Sequence, residues 1–302
     1  MPLRVPAPVR RAYERLLERE IDGAPTHVAV IQDGNRRYAR ERGDDASAGH
    51  RAGAKKTEEV LQWCEGLGVE ELTIYAFSTE NFERDESEVE TLFDLLERKL
   101  YEFADHPDIH AREVRIRAIG QVDRLPERVR DAVDYAERQT RDHDRLHLNI
   151  ALAYGGRAQL LDAARDIADA VAAGDLAPDE IDADAVEDRL YDGPTRDVDL
   201  IIRTGGDERT SNFLPWHANG NEAAVFFCAP YWPGFRRIDL LRAVRTYESR
   251  EESWHRTRVR RALALVRTLG DVELEEASRV VDRFRDTAPS GELDALDDGL
   301  AN

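Results

Sequence analysis

Apolar residues in this chain fall into short runs, separated by longer stretches in which they recur every three or four positions. The runs are His27–Ile31, Leu72–Phe77, Val114–Ile119, Leu146–Leu152, Val198–Ile202 and Ala223–Phe227. Each is bounded by polar or turn residues, which is the mark of a buried strand. Helical spacing fills the intervals: residues 7–21, Ala54–Leu67, Glu86–Phe103, Pro126–Thr140 and Arg157–Ala173, with further helices over residues 237–284. Pro126 suits a first helical turn. Strands alternating with helices predict one α/β domain, its central, mostly parallel six-stranded sheet flanked by helices. No repeat and no Gly/Ser/Pro-rich linker divides the chain. Residues 1–23 read as an N-terminal helix and 24–285 as the main domain. Residues 286–302 read as an acidic disordered tail, poor in large apolar side chains.

Composition narrows the class. The chain has 302 residues, 41% of them hydrophobic, enough for one large core. Its formal net charge of -19 repels nucleic-acid phosphate and anionic lipid, so neither is expected as a whole-surface partner. Lysine occurs only at Lys55, Lys56 and Lys99; the other basic residues are arginine. Excess acid with little lysine reads as adaptation to an extremely salty solvent. Cys64 and Cys228 lie far apart without metal-type spacing and read as small core residues. A reducing cytoplasm fits them. No secretory segment and no membrane-spanning run is visible, so any membrane contact is expected to be peripheral.

Ligands in open parallel sheets gather at the carboxyl ends of strands. The first strand ends in Gln32-Asp33-Gly34-Asn35-Arg36-Arg37-Tyr38. Gly34 permits close backbone approach, and a helix start after it offers N–H groups to a phosphate. Arg36 and Arg37 add bidentate cations, and Asp33 among them makes sense if a hard cation bridges it to phosphate. The plain alternative is an Asx turn beside surface arginines. Farther on, Gly49-His50-Arg51 reads as another helix start, with His50 able to donate to a phosphate. The second strand ends in Ser78-Thr79-Glu80-Asn81-Phe82-Glu83-Arg84, which also fits a Ser/Thr cap with Glu80 as its partner. The fourth ends in Tyr154-Gly155-Gly156-Arg157. After the fifth, Arg203 and Arg209 flank a Gly-Gly turn, with Thr210 and Ser211 beyond, a cradle for a second diphosphate. Glu222, before the sixth, is a candidate second carboxylate for a metal.

These motifs, His27 to Tyr38, Tyr75 to Arg84, Asn149 to Arg157 and Ile202 to Phe213, resemble the cis-prenyltransferases in their archaeal and eukaryotic form. The resemblance runs in order from about residue 24 to residue 250. It implies elongation of an allylic diphosphate primer by isopentenyl diphosphate units, each new double bond cis. It makes 24–285 the catalytic domain. By resemblance, Asp33 is the essential carboxylate for Mg²⁺ and the diphosphates. Gly34, Asn35, Arg36, Arg37 and Tyr38, with His50, hold the allylic diphosphate. Arg203, Arg209, Thr210 and Ser211 hold isopentenyl diphosphate, and Glu222 helps place the metal. Asn81, with Ser78, Thr79 and Glu80 nearby, stands where the isopentenyl proton leaves; Phe82 and Arg84 line the junction. The resemblance further implies an apolar product tunnel between sheet and helices, lined from Val89 to Phe103 and from Val129 onward, and a homodimer. Geranylgeranyl or farnesyl diphosphate is the expected primer, and a glycosyl carrier lipid the expected use.

The chain departs from the family at Gln32 and Phe82, and over Asp44–Ala48, where relatives usually carry a phosphate-binding arginine. One phosphate contact is then either missing or supplied by Arg42 or Arg51. Two other readings stand beside this one. A non-catalytic partner subunit of the same fold would lack Asp33 and the paired arginines. A Mg²⁺-dependent phosphate-ester hydrolase would need an activated nucleophile near Asp33, and no motif supplies one.

Overall fold

In a computed structural model of the chain, the described residues are 7–190, 196–220 and 223–266. Side chains are described within these from residue 12, and not at 218–220 or 252–266. The strands are β1 (His27–Ile31), β2 (Glu71–Tyr75), β3 (Val114–Ile119), β4 (Leu146–Ala151), β5 (Leu200–Arg203) and β6 (Ala224–Phe227). The helices are α1 (Ala7–Glu20), α2 (Asn35–Arg40), α3 (Ala46–Gly66), α4 (Glu86–Asp105), α5 (Pro107–Ala111), α6 (Glu127–Thr140), α7 (Gly156–Ala173), α8 (Ala183–Leu190), α9 (Pro215–Gly220) and α10 (Arg237–Val266).

The strands form one sheet in the order β3-β4-β2-β1-β5-β6, parallel throughout rather than mostly so. Such a sheet must be covered on both faces, and β1 is buried along its whole length. Side chains alternate across it. Val28 and Val30 join the core under α3, α4 and α6, while Ala29 and Ile31 join the opposite core with Ala163 of α7 and Leu190 of α8. Leu17 of α1 packs against Ile238 and Leu241 of α10. The chain divides at Tyr247: residues Met1–Tyr247 carry the sheet, and Glu248–Asn302 form a second unit whose described part is the end of α10. The expected helices beyond residue 266 and the tail 286–302 fall outside the described residues.

Two features set up the site. Strand order reverses at β1, with β2 on one side and β5 on the other, which opens a crevice at its carboxyl end. Register then levels three strand ends, because Ile31 pairs with Tyr75 and with Arg203.

The cysteines lie in the core as expected. Cys64 and Cys228 are buried, and burial pushes both thiols up to about 12. The helix start expected near Gly49 is corrected. Asp45 caps α3 by accepting from the Ala48 N–H at 2.7 Å, so the helix begins at Ala46 and His50 lies inside it.

Candidate diphosphate site

Asp33 leaves the end of β1 directly into the crevice. Gly34 follows in the left-handed conformation, with φ +97°, and starts α2. A Cβ there would stand 2.5 Å from the Tyr231 ring, so the turn requires glycine on two counts. One turn of α2 brings Arg37 back, and its Nη2 donates to Asp33 Oδ1 at 3.0 Å. From β5, Arg203 Nη2 donates to Asp33 Oδ2 at 2.7 Å. Burial alone would favour the protonated acid. The hydrogen bonds from Arg203 and Arg37 outweigh it and hold the Asp33 carboxyl below its usual range.

Arg203 is a strut more than a free cation. Its side chain is only 3% exposed. Its Nη1 donates to the Arg209 carbonyl at 2.7 Å and to Ser211 Oγ, and its Nη2 also reaches Asp207 Oδ2 at 3.3 Å. The loop that provides these partners is strained, with Ser211 at φ +50° and Asn212 at φ +60°. Gly156 and Arg157 hold it from the fourth strand end by donating their N–H groups to the Asn212 carbonyl and Oδ1.

The second strand end supplies the opposite wall. Ser78 starts a single tight turn over Thr79–Glu83, and its N–H donates to Asn81 Oδ1 at 3.0 Å. Asn81 therefore takes the capping part expected of Glu80. Arg84, next along, donates to Glu88 Oε1 at 2.8 Å. Glu88 lies in the first turn of α4 and gathers basic groups. Arg36 Nη1 is 3.5 Å from its Oε2, and His50 Nε2 is 3.6 Å from its Oε1. Burial and the Arg84 charge push the His50 pKa down, with Glu88 opposing them. The ring is thus neutral near pH 7.

Between these walls lies a cavity of about 310 Å³. Arg36, Arg37, Arg84 and Arg209 face it as cations, Asp33 and Asp207 as acids, beside Gly34. Gln32, Asn35 and His50 complete it and also line a second cavity of about 90 Å³. That second cavity is apolar, walled by Ala54 and Thr57 of α3 and by Leu92, Leu96 and Leu100 of α4, over Ile74 and Ile150 of the sheet. The α4 lining agrees with the sequence. The expected wall from Val129 onward does not: Val129 of α6 is fully buried in the core, and α3 forms that wall instead. Asn35 Oδ1, His50 Nε2 and Arg203 Nε are buried without hydrogen-bond partners among the described residues. Asn35 and His50 line both cavities, so a polar ligand there would supply their partners; Arg203 lines neither.

Ser78, Asn81, Arg203 and Ser211 lie beside the first cavity without lining it, and other expected residues fall outside it too. Tyr38 lies under the Arg42 guanidinium, 3.5 Å from ring centre to carbon. Thr79 donates its N–H to the Tyr154 carbonyl, and Glu80 is exposed on the same turn. Phe82 packs on Phe77 at 5.0 Å between ring centroids. The Thr210 carbonyl caps its own loop by accepting from the Phe213 N–H. Glu222 lies outside the described residues. Arg42 and Arg51 do not line the cavity either; Arg51 turns to Ser47 and Asp45. Sequence reasoning missed Glu88, Asp207 and Tyr231. The pairing of Glu88 with Arg84 joins the extended residue after the tight turn to the first turn of α4, so helical spacing gave no signal for it.

Among the described residues no three His, Cys, Asp or Glu side chains cluster as a metal cage. Asp33 and Asp207, the carboxylates facing the cavity, still fit Mg²⁺, which binds commonly through one or two carboxylates plus substrate phosphates.

The sequence profile of the prenyltransferase family described as undecaprenyl diphosphate synthase matches residues 31–255. The chain is 69% identical over 277 residues to a geranylgeranyl-diphosphate-specific tritrans,polycis-undecaprenyl-diphosphate synthase of Halobacterium salinarum, covering 92% of this chain and 91% of that one. A synthase of the same description from Haloarcula marismortui is 61% identical, over 95% and 94% of the two chains. Among solved structures, lavandulyl diphosphate synthase from Lavandula x intermedia in complex with dimethylallyl diphosphate aligns with TM-score 0.69 and 35% identity, covering 74% of this chain and 95% of that one.

Proposed function

This chain belongs to the undecaprenyl diphosphate synthase family of prenyltransferases, and from that premise we propose that it adds successive isopentenyl diphosphate units in cis to an allylic diphosphate primer. The observation that carries the proposal is the pair of adjoining cavities. One is rich in arginine, the other is hydrocarbon, and they share Gln32, Asn35 and His50. An amphipathic substrate with a diphosphate head and an isoprenoid tail matches that junction in both halves.

Each condensation breaks the allylic C1–O bond, joins that carbon to the terminal methylene of isopentenyl diphosphate, and releases one proton. Negative charge grows on the departing diphosphate, and fixed cations lower that barrier. Arg36 and Arg37 would bind the first diphosphate and Arg209 the second, with Arg84 at the junction between them. Asp33 holds Arg37 and Arg203 in position and is the residue that would hold Mg²⁺ together with phosphate oxygens. Bound there, the ion would supply further charge neutralisation at the leaving group. Asn81, held by Ser78, is the residue expected near the departing proton, and the released diphosphate is the base that can take that proton up.

The names of the relatives support geranylgeranyl diphosphate as primer and a tritrans,polycis-undecaprenyl diphosphate as product; a glycosyl carrier lipid is the use the family resemblance implies. A homodimer meeting a membrane only peripherally fits this reading; among the described residues no helix is long and apolar enough to cross one. Purified protein in molar KCl with Mg²⁺, geranylgeranyl diphosphate and radiolabelled isopentenyl diphosphate should yield long, butanol-extractable product. Label that stays water-soluble with every allylic primer, farnesyl diphosphate included, would overturn the reading.

A further inference from the structure

The crevice between α3 and α4 is bridged by polar contacts at two levels. At the diphosphate end, His50 of α3 meets Glu88 of α4. Farther out, Lys99 Nζ of α4 donates to Glu58 Oε1 of α3 at 3.0 Å. From His50 to Glu58 is roughly 12 Å along the helix at 1.5 Å per residue. Between the two levels the walls are hydrocarbon, with Ala54, Leu92 and Leu96 prominent.

Lys99 stands at a boundary. It and Phe103 line both the apolar cavity and an outer cavity of about 420 Å³. The outer cavity is edged by Glu58, Gln62, Glu102 and Arg112. Burial works against the Lys99 charge, but hydrogen bonds to Glu102 and Glu58 outweigh it and hold its pKa above the usual lysine value. Glu102 lies on the same helix as Lys99, so only the Glu58 contact spans the crevice.

A growing chain has to deal with this pair. The apolar cavity, at about 90 Å³, is smaller than the roughly 150 Å³ of an apolar cavity that takes up one benzene. A geranylgeranyl tail is sixteen carbons end to end and spans roughly 20 Å when extended with C–C bonds of about 1.5 Å. It exceeds both the cavity and the distance to Glu58. The two helices must part to admit it, and every added unit pushes more hydrocarbon past the charged pair.

We propose that the Lys99–Glu58 ion pair is a clasp that limits how far α3 and α4 part, and thereby sets product length. The proposal rests on the synthase reading above. With the pair closed, further chain must break a charged contact to advance, and release competes with another addition. With it open, the chain can run on into the outer cavity along its apolar lining, Leu61, Phe103 and Ile109.

The test is the length distribution of product, resolved by mass spectrometry, from the unsubstituted protein, Lys99→Leu, Glu58→Leu and the double variant. Each single variant is expected to lengthen the dominant product by at least one isoprenyl unit. The double variant should go no further than the longer single one, because both changes remove the same contact. A distribution unchanged in both single variants, or shifts that simply add in the double, would overturn the clasp. Where a leucine variant does not fold, Glu58→Gln keeps the side-chain size, and the same lengthening is expected; unchanged length there counts equally against the clasp. Absence of elongation by the unsubstituted protein is a different result: it overturns the synthase reading itself, whereas failure of the clasp leaves product present.

Discussion

Arg203 Nη2 lies 2.7 Å from Asp33 Oδ2, joining the end of β5 to the end of β1 across the point where strand order reverses. The same guanidinium also binds Asp207, Ser211 and the Arg209 carbonyl. A lysine cannot reproduce that fork. Arg203→Lys should therefore let Asp33 and the Arg209–Ser211 loop shift, and lower turnover by about a hundredfold, the scale on which a misplacement of about 1 Å acts. It should also destabilise the fold by about 2 kcal/mol, below the usual figure for a broken buried pair because Asp33 and Asp207 are partly solvated. Steady-state kinetics and urea denaturation of the same preparation read the two effects.

Glu88 should act through the groups it holds. Glu88→Gln removes the carboxylate that orders Arg84, Arg36 and His50. The KM for the allylic diphosphate should rise about tenfold, a typical effect of losing a supporting contact. The carboxylate also raises the His50 pKa against burial. Without it the pKa falls further, so any acid limb of the rate profile due to His50 should move to lower pH. A pH–rate profile that moves the other way would contradict this assignment.

Gly34→Ala puts a Cβ 2.5 Å from the Tyr231 ring on a backbone at φ +97°. The expected loss is about 2 kcal/mol or more, part from the left-handed backbone and part from the clash. Tyr231→Ala in the same chain should recover the clash part only. A urea midpoint series over the single and double variants separates the two.

His27 gives the fold an acid sensitivity. Its ring is fully buried, with Nδ1 at 2.8 Å from the Arg196 carbonyl and Nε2 at 2.7 Å from Thr73 Oγ1. Burial pushes its pKa below the ordinary value of 6.5 although Glu71 pulls upward. The folded pKa is thus lower than the unfolded one. The unfolded chain binds the proton more readily, so stability is full above pH 6.5 and declines as pH falls below it. Urea midpoints should drop between pH 7.5 and pH 5.5, and His27→Gln should flatten that slope.

Much of this architecture was legible from the chain's apolar rhythm. β1 and β3 match their runs to the residue: β1 is a continuous buried stretch, apolar from Val28 on, and in β3 buried Val114 and Ile116 alternate with Arg115 and Arg117 up to buried Ile119. The error at α3 has a physical cause. Gly49 weakens the helical pattern, yet a Cβ there would lie 2.1 Å from the Asn35 carbonyl, so glycine is what lets α3 press onto α2. α8 went unread because Ala183–Leu190 carries few large apolar residues. The site's members were visible as strand-end residues, since register and strand order bring such ends together. Its wiring was not. That Arg203 is a buried strut, that Glu88 collects three cationic or basic groups, and that α3 rather than α6 walls the apolar cavity depend on contacts between segments far apart in sequence.

The central claim is that Asp33 organises a diphosphate site for chain elongation. Asp33→Asn keeps the side chain's size and removes its charge, leaving Arg37 and Arg203 without their shared carboxylate. The direct measurement is incorporation of radiolabelled isopentenyl diphosphate into butanol-extractable product by Asp33→Asn beside the unsubstituted protein, with geranylgeranyl diphosphate and Mg²⁺. Elongation by the unsubstituted protein with at least a hundredfold loss in the variant is the predicted result. Equal incorporation by both proteins would contradict the account.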